Sequence, residues 1–118
     1  MEQINKQYDL EERTMVFARD VRQFVKTIPR TIANLEDSKQ LVRSSGSIAA
    51  NYIEANESLG KKDFLMRIRI SRKEAKESKL WLILIESGTD VVELEKQRLI
   101  KEAVELMLIL SSIMRKSE

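Results

Sequence analysis

The chain of 118 residues is predicted to be all-α, folded as an antiparallel up-down-up-down four-helix bundle. Three glycines and one proline leave too few turn residues for the hairpins and bulges of a sheet protein. Four segments carry apolar residues at helical spacing, and short breaks separate them. Because hydrophobic residues make up 42% of the chain, residues 1–118 are expected to form one domain around one core.

The first helix is predicted over about residues 10–28. Asp9 and Glu12 can form a capping box at its start, and Pro29 ends it because proline cannot continue a helix. Its apolar stripe consists of Leu10, Phe17, Val21, Phe24, Val25 and Ile28.

The second helix is predicted over about residues 31–57, before the turn formed by Ser58, Leu59 and Gly60. Its connection to the first helix is so short that the two must run antiparallel. Its apolar positions are Ile32, Leu35, Leu41, Val42, Ile48, Ala49, Tyr52 and Ile53.

The third and fourth helices are predicted over about residues 61–86 and 91–115. A break at residues 87–90 separates them, and Asp90 with Glu93 is expected to cap the fourth helix. The inward seam of the third helix is Phe64, Ile68, Ser71, Ala75, Ser78, Leu82 and Ile85. The fourth helix has one stripe of Leu99, Ala103, Leu106, Leu110 and Ile113, and a second of Ile100, Val104, Met107 and Met114.

Small residues fill the middle of both central helices. Glycine inside a helix costs about 1 kcal/mol relative to alanine, so close approach of two backbones is the expected compensation. The alternatives are exposed serines without a packing role, or a phosphate-binding loop, which would need glycines at a strand-to-helix turn. The predicted helix-packing waist is Ser45, Gly46, Ala49, Ser71, Ala75 and Ser78, with Ser44 and Ser47 beside it.

Polar residues also recur at the edge of the predicted core. Asn51 and Glu54 on the second helix, and Glu74 and Glu77 on the third, are three residues apart. We expect them to fix the register of the helices through hydrogen bonds. A dinuclear metal site is the alternative, but such sites in bundles use Glu-x-x-His motifs and the chain has no histidine. No metal and no cofactor are therefore expected.

Positive charge is concentrated on the third helix. Residues 61–79 hold eight basic and three acidic residues, a net charge of +5, whereas the whole chain carries +2. A solvated face with local Glu/Lys pairs would explain this, but so would a surface that binds the phosphates of RNA or DNA. The residues expected to bind nucleic acid are Arg67, Arg69, Arg72, Lys73, Lys76 and Lys79.

Apolar residues exceed what one bundle of this size needs. Leu80, Trp81 and Ile83 lie off the seam of the third helix, and Leu108 and Ile109 widen the fourth. We expect this surplus to contact other copies in a homo-oligomer, or alternatively to bind a different protein.

Composition excludes several classes of function. The chain has no cysteine and no histidine, which removes thiolate chemistry and the commonest general base, so an enzyme is not expected. The longest apolar run, LWLILI, is far shorter than the roughly 20 residues of a membrane span. The N-terminal residues lack a basic start followed by an apolar core, so we expect a cytoplasmic protein.

The middle third of the chain resembles the bacterial four-helix-bundle family that includes proteins encoded by intervening sequences in genes for large-subunit ribosomal RNA. The pattern S-x-S-I-x-x-N-x-x-E is carried by residues 45–54. A second pattern, a phenylalanine followed by Glu-x-x-Glu-Ser, is carried by Phe64 and residues 74–78. Many members have glycine where this chain has Ala55.

The resemblance implies a bundle that assembles as a ring, commonly a pentamer. It also implies a relation to the accessory proteins of diversity-generating retroelements, basic barrels that bind nucleic acid and a reverse transcriptase. It implies no catalytic activity.

Overall fold

Four α-helices form an antiparallel up-down-up-down bundle in the computed structural model, which describes the backbone of residues 6–118 and side chains from Leu10 onward. The helices are α1 (Lys6–Phe24), α2 (Ile32–Asn56), α3 (Lys61–Leu84) and α4 (Asp90–Ser117). Each packs against its two neighbours: α2 contacts α1 and α3, and α4 contacts α3 and α1. The part of the chain described contains no strand, which agrees with the predicted fold class.

The core lies along the four inward faces, and all of the predicted stripes contribute to it. Residues with no exposed surface come from every helix, so the core is continuous from end to end. They include Val21, Leu41, Ile48, Ile68, Ala75, Leu82, Leu99, Ala103, Leu106 and Leu110. At the first turns of α2 the expectation fails, because Ile32 is 84% exposed and Leu35 is 39% exposed.

Helix α1 differs from the prediction at both ends. It begins at Lys6, so position 9 lies inside the helix rather than at its cap, and the Asp9 side chain lies outside the described residues. It ends at Phe24 instead of residue 28. The chain tightens there, with the amide of Thr27 donating to Phe24 O (2.9 Å) and its hydroxyl donating to the same carbonyl (2.7 Å). Pro29 then prevents the helix from resuming, since the residue before a proline, here Ile28, avoids helical backbone angles.

Threonine hydroxyls cap the helices that follow the two loops at this end of the bundle. Thr31 Oγ1 accepts from the amide of Asn34 (3.1 Å), and Thr89 Oγ1 accepts from the amide of Val92 (3.2 Å). The predicted Asp90 cap is therefore wrong by one residue, because the extended backbone of Thr89 already supplies the cap oxygen. Glu93 instead accepts from the hydroxyl of Ser87 (2.7 Å).

Asn34 joins the two loops. Its side-chain amide donates to Pro29 O (3.0 Å) and to Glu86 O (2.9 Å), while its carbonyl oxygen accepts from the amide of Glu86 (3.0 Å). The loops also touch directly, since a Cβ at Gly88 (φ 86°) would lie 2.6 Å from Pro29 Cγ. This end of the bundle is therefore held rigidly by a buried polar bridge.

Lys96 of α4 closes the C-terminus of α3, which ends at Leu84 rather than at the predicted residue 86. Its Nζ donates to Ile85 O (2.7 Å) and Ile83 O (3.2 Å), and its side chain is only 12% exposed. The ammonium thus satisfies carbonyls that the helix leaves free at its end.

Ion pairs connect α1 to α4, which have the smallest contact in the bundle. Arg13 binds Glu102 (2.7 Å) and Glu105 (2.6 Å), and hydrogen bonding to Glu102 is the largest cause of the raised pKa of Arg13. Arg98 binds Asp20 (3.0 Å) and Glu95 (2.6 Å), and its hydrogen bond lowers the pKa of Glu95. These carboxylates neutralise Arg13 and Arg98.

Candidate nucleic-acid interface

The candidate interface is on α3, whose position is set by a small-residue contact with α2. Ser44 and Ser78 hydroxyl oxygens lie 2.8 Å apart, and Ser71 Oγ donates to Ile48 O at 2.8 Å. All three serines are fully buried. A serine side chain ends one atom beyond Cβ, so a hydroxyl that reaches the neighbouring backbone requires the two helices to approach closely.

Two predicted members of the waist have other contacts. A Cβ at Gly46 would meet Arg22 Nη2 of α1 at 3.3 Å, with no atom of α3 within 4 Å, so Gly46 faces α1. The placement of Gly46 against α3 was wrong because it follows Ser44 by two residues, about 200° around the helix. Ser45 is buried but donates to Val42 O of its own helix (3.2 Å). Ala49 (9% exposed) and Ala75 (0%) are buried as predicted.

The basic strip, which we define as Arg69, Arg72, Lys76 and Lys79, follows one side of α3. Steps of three and four residues keep these side chains within one face over about 15 Å of helix. Lys76 and Lys79 make no ion pair in the described part of the chain, and Nε of Arg72 is buried without a hydrogen-bond partner. Among the described residues, Arg69 pairs only with the side-chain carboxylate of Glu118 at 3.5 Å, with both side chains about half exposed.

Lys73 lies beside the strip, next to carboxylates. Its Nζ is 4.0 Å from Glu77 Oε2, and Glu77 also accepts from Arg43 Nη2 at 3.3 Å. Arg43 Nη1 bonds Glu74 Oε2 (3.4 Å), while Glu74 Oε1 is buried without a partner. Glu74 and Glu77 therefore bind Arg43, a cation of α2. The sequence patterns did not indicate a role for Arg43.

Arg67 points away from the strip. It lies nine residues before Lys76, about half a turn around α3, and its Nη1 donates to Asn51 Oδ1 of α2 (3.1 Å). Asn51 also donates to the carbonyl and hydroxyl oxygens of Ser47. Arg67 was expected among the residues that bind phosphate. That expectation is corrected, because the guanidinium of Arg67 bonds Asn51 and so links α2 to α3.

Glu54 is exposed, and its carboxylate has no hydrogen bond among the described residues, so the predicted register contact is absent there.

Comparison with known proteins places the fold in a family. A model of the 23S rRNA-intervening sequence protein family matches residues 6–112. This chain belongs to that family. A solved structure from Bacteroides thetaiotaomicron, described as a protein of unknown function from the S23 ribosomal protein family, is 26% identical. The match covers 94% of this chain and 99% of that one, with a TM-score of 0.78. No curated protein matches the chain.

Some of the surplus apolar residues pack against the core of the bundle itself. Trp81, Ile100, Met107, Ile109 and Met114 are partly buried against the core cluster. On α3, Met66, Leu80, Ile83 and Leu84 are each about half exposed. On α4, Val91 is 77%, Leu94 73% and Leu108 58% exposed.

Two further properties of the described residues concern metal binding and the crossing of a membrane. The described residues bring together no cluster of acidic, histidine or cysteine side chains suited to a metal ion. Of the helices described, none combines the length and the apolar character that crossing a membrane requires.

Proposed function

We propose that this protein is a non-enzymatic, cytoplasmic homo-oligomer that binds RNA or DNA without strong sequence preference through the basic strip on α3. The observation that carries the proposal is the row Arg72, Lys76 and Lys79, whose cationic groups have no carboxylate partner among the described side chains. By contrast, Arg13 and Arg98 on the α1/α4 side are matched by carboxylates. Cations left unpaired in a row suit a repeating phosphate backbone, which binds by charge rather than by base identity.

The homo-oligomer is supported by the exposed apolar residues next to the strip. Leu80, Ile83 and Leu84 are exposed and spaced i, i+3 and i+4 on the last turns of α3, which places them on one side of the helix. Repetition of the bundle would multiply the number of basic strips presented to one nucleic acid, and avidity would compensate for the modest charge of each subunit. The pentamer expected from the family resemblance is tested by light scattering after size exclusion, and a monomer at all concentrations contradicts this part of the proposal.

Fluorescence anisotropy with a labelled, structured RNA tests binding directly. Affinity should fall steeply between about 50 and 200 mM salt because bound phosphates release counterions. The double variant Arg69→Glu/Lys76→Glu should bind more weakly and reduce the salt slope by about 2. The matched control, Arg19→Glu/Arg22→Glu on exposed positions of α1, changes net charge equally and should bind as the parent does. Absence of binding at low salt, or equal losses in both variants, would refute nucleic-acid binding by α3.

A protein-interaction scaffold is the second candidate, favoured by the same apolar patch. In that case Leu80→Ser and Leu84→Ser abolish complex formation while charge reversal on α3 has no effect. Trp81 is no longer expected to lead such an interface, because it packs against the core.

A further inference from the structure

An open groove lies between the α1/α2 corner and the outer side of α2, away from the basic strip. Its volume is about 540 Å³, and it is lined by Val25, Lys26, Ile28, Pro29, Arg30, Leu35, Ser38, Lys39 and Val42. The floor is apolar, the charged lining residues are all cations, and no carboxylate belongs to the lining. We propose that this groove binds an acidic, amphipathic helical segment of a partner protein.

The shape of the groove favours a helix. On α2 it is lined by Leu35, Ser38, Lys39 and Val42, which follow the i, i+3, i+4, i+7 pattern of one helix face over about 10 Å. A ligand helix presents its apolar side chains with the same repeat, so two turns of it match the length of the groove. A small molecule would remain largely solvated here, because the groove is open along its side, whereas small-ligand sites enclose most of their ligand.

The charges select the sign of the partner. Lys26 and Arg30 have no ion-pair partner within the described residues, and the pair between Lys39 and Glu36 is 3.4 Å long with both side chains about 70% exposed. Pairs so exposed contribute little and exchange readily with a better-placed carboxylate. An acidic helix would therefore gain several rim contacts while its apolar face covers Leu35 and Val42.

The walls of the groove are already formed in the free protein. Pro29 contributes its carbonyl to the Asn34 bridge and its ring packs near Gly88. Binding then requires little ordering of the receptor, which lowers the cost of association.

A synthetic peptide tests the proposal on the intact protein. The probe is a fluorescein-labelled peptide with leucines at i, i+4 and i+7 and glutamates at its other positions, with a second peptide carrying lysines in place of the glutamates. Anisotropy should show salt-sensitive binding of the acidic peptide alone. Amide shifts in NMR spectra should be confined to residues 25–42.

Variants on the two sides of the molecule separate this site from α3. Lys26→Glu/Arg30→Glu should weaken binding of the acidic peptide about tenfold, while Lys101→Glu/Lys116→Glu on α4 should leave it unchanged. Leu35→Ser, at an already exposed position, should weaken it without loss of thermal stability.

Equal binding of both peptides, or unchanged affinity in the Lys26/Arg30 variant, would overturn the proposal. So would shifts located on α3, or release of the peptide as the protein concentration rises, which would identify a second copy as the occupant. Loss of RNA binding in the α3 variant with retained peptide binding would leave this inference intact and independent of the proposed function.

Discussion

Ser44 of α2 and Ser78 of α3 share a buried hydrogen bond of 2.8 Å, and neither side chain has any exposed surface. Ser44 also lies 3.3 Å from Leu41 O, so its hydroxyl can donate within its own helix while it accepts from Ser78. The pair places a buried polar contact between α2 and α3.

A double-mutant cycle should measure this pair. Ser44→Ala and Ser78→Ala should each lower the free energy of unfolding by about 1 kcal/mol, because each leaves the other hydroxyl short of a partner. The double variant should lose about 0.5 kcal/mol less than the sum of the single losses, as measured by urea denaturation. Strict additivity would show that the two hydroxyls do not interact. Ser78→Leu should cost more than either, about 1–3 kcal/mol, because the fully buried site has no room for it.

Gly46→Ala should stabilise the protein by about 0.5–1 kcal/mol. Alanine is the better helix former, and the group 3.3 Å from the new methyl is the end of the exposed, flexible Arg22 side chain. Ala50→Gly, at an exposed position of the same helix, is the matched control and should destabilise by a similar amount. A loss of stability in Gly46→Ala would show that α1 packs too tightly there to move.

Asn34→Ala should lower the free energy of unfolding by about 2–4 kcal/mol. It removes three part-buried hydrogen bonds, one to Pro29 and two to Glu86, from a residue that is only 1% exposed. Asn56→Ala, which loses a part-buried bond to Glu11 (2.8 Å) and a hydrogen bond with Tyr52, should cost less in thermal denaturation. Similar losses would mean that solvent replaces the Asn34 contacts.

Tyr52 should make the bundle sensitive to alkali. Burial raises the pKa of Tyr52 above its ordinary value of 10, so above pH 10 the unfolded chain releases the phenolic proton while the folded chain keeps it. Stability is therefore full below pH 10 and falls as pH rises beyond it. Tyr52→Phe should show a shallower decline in urea midpoint between about pH 9 and 11. Lysine titration affects both proteins alike, so parallel declines would rule out Tyr52 as the cause.

Periodicity predicted the fold because each helix carries an apolar stripe that the bundle buries in its core. Val21, Ile68 and Leu106 are all fully buried, as their spacing required. Helix ends were less predictable, since Thr89 and Asp90 are both suitable caps and only the backbone path decides between them. The α3 seam and most of the basic strip could also be predicted from the spacing of residues along one helix.

Contacts between helices were not accessible in this way. Arg67 has the same charge as its neighbours on α3, and only the position of Asn51 on the adjacent helix shows that it turns inward. Gly46 was assigned to α3 although it faces α1. A small residue permits close approach of a neighbouring helix but does not indicate which helix approaches. Arg43 and Lys96 bond groups 31 and 11 residues away, beyond the reach of any single-helix pattern.

The Asn34 bridge spans 52 residues of sequence, from the start of α2 to the end of α3. It forms only once α2 and α3 have packed against each other as far as the start of α2 and the end of α3, whereas the helices themselves need local contacts alone. The amide of Glu86, which donates to Asn34, therefore reports on the packing of α2 against α3. Its hydrogen-exchange protection should follow the opening of the bundle rather than the fraying of any one helix.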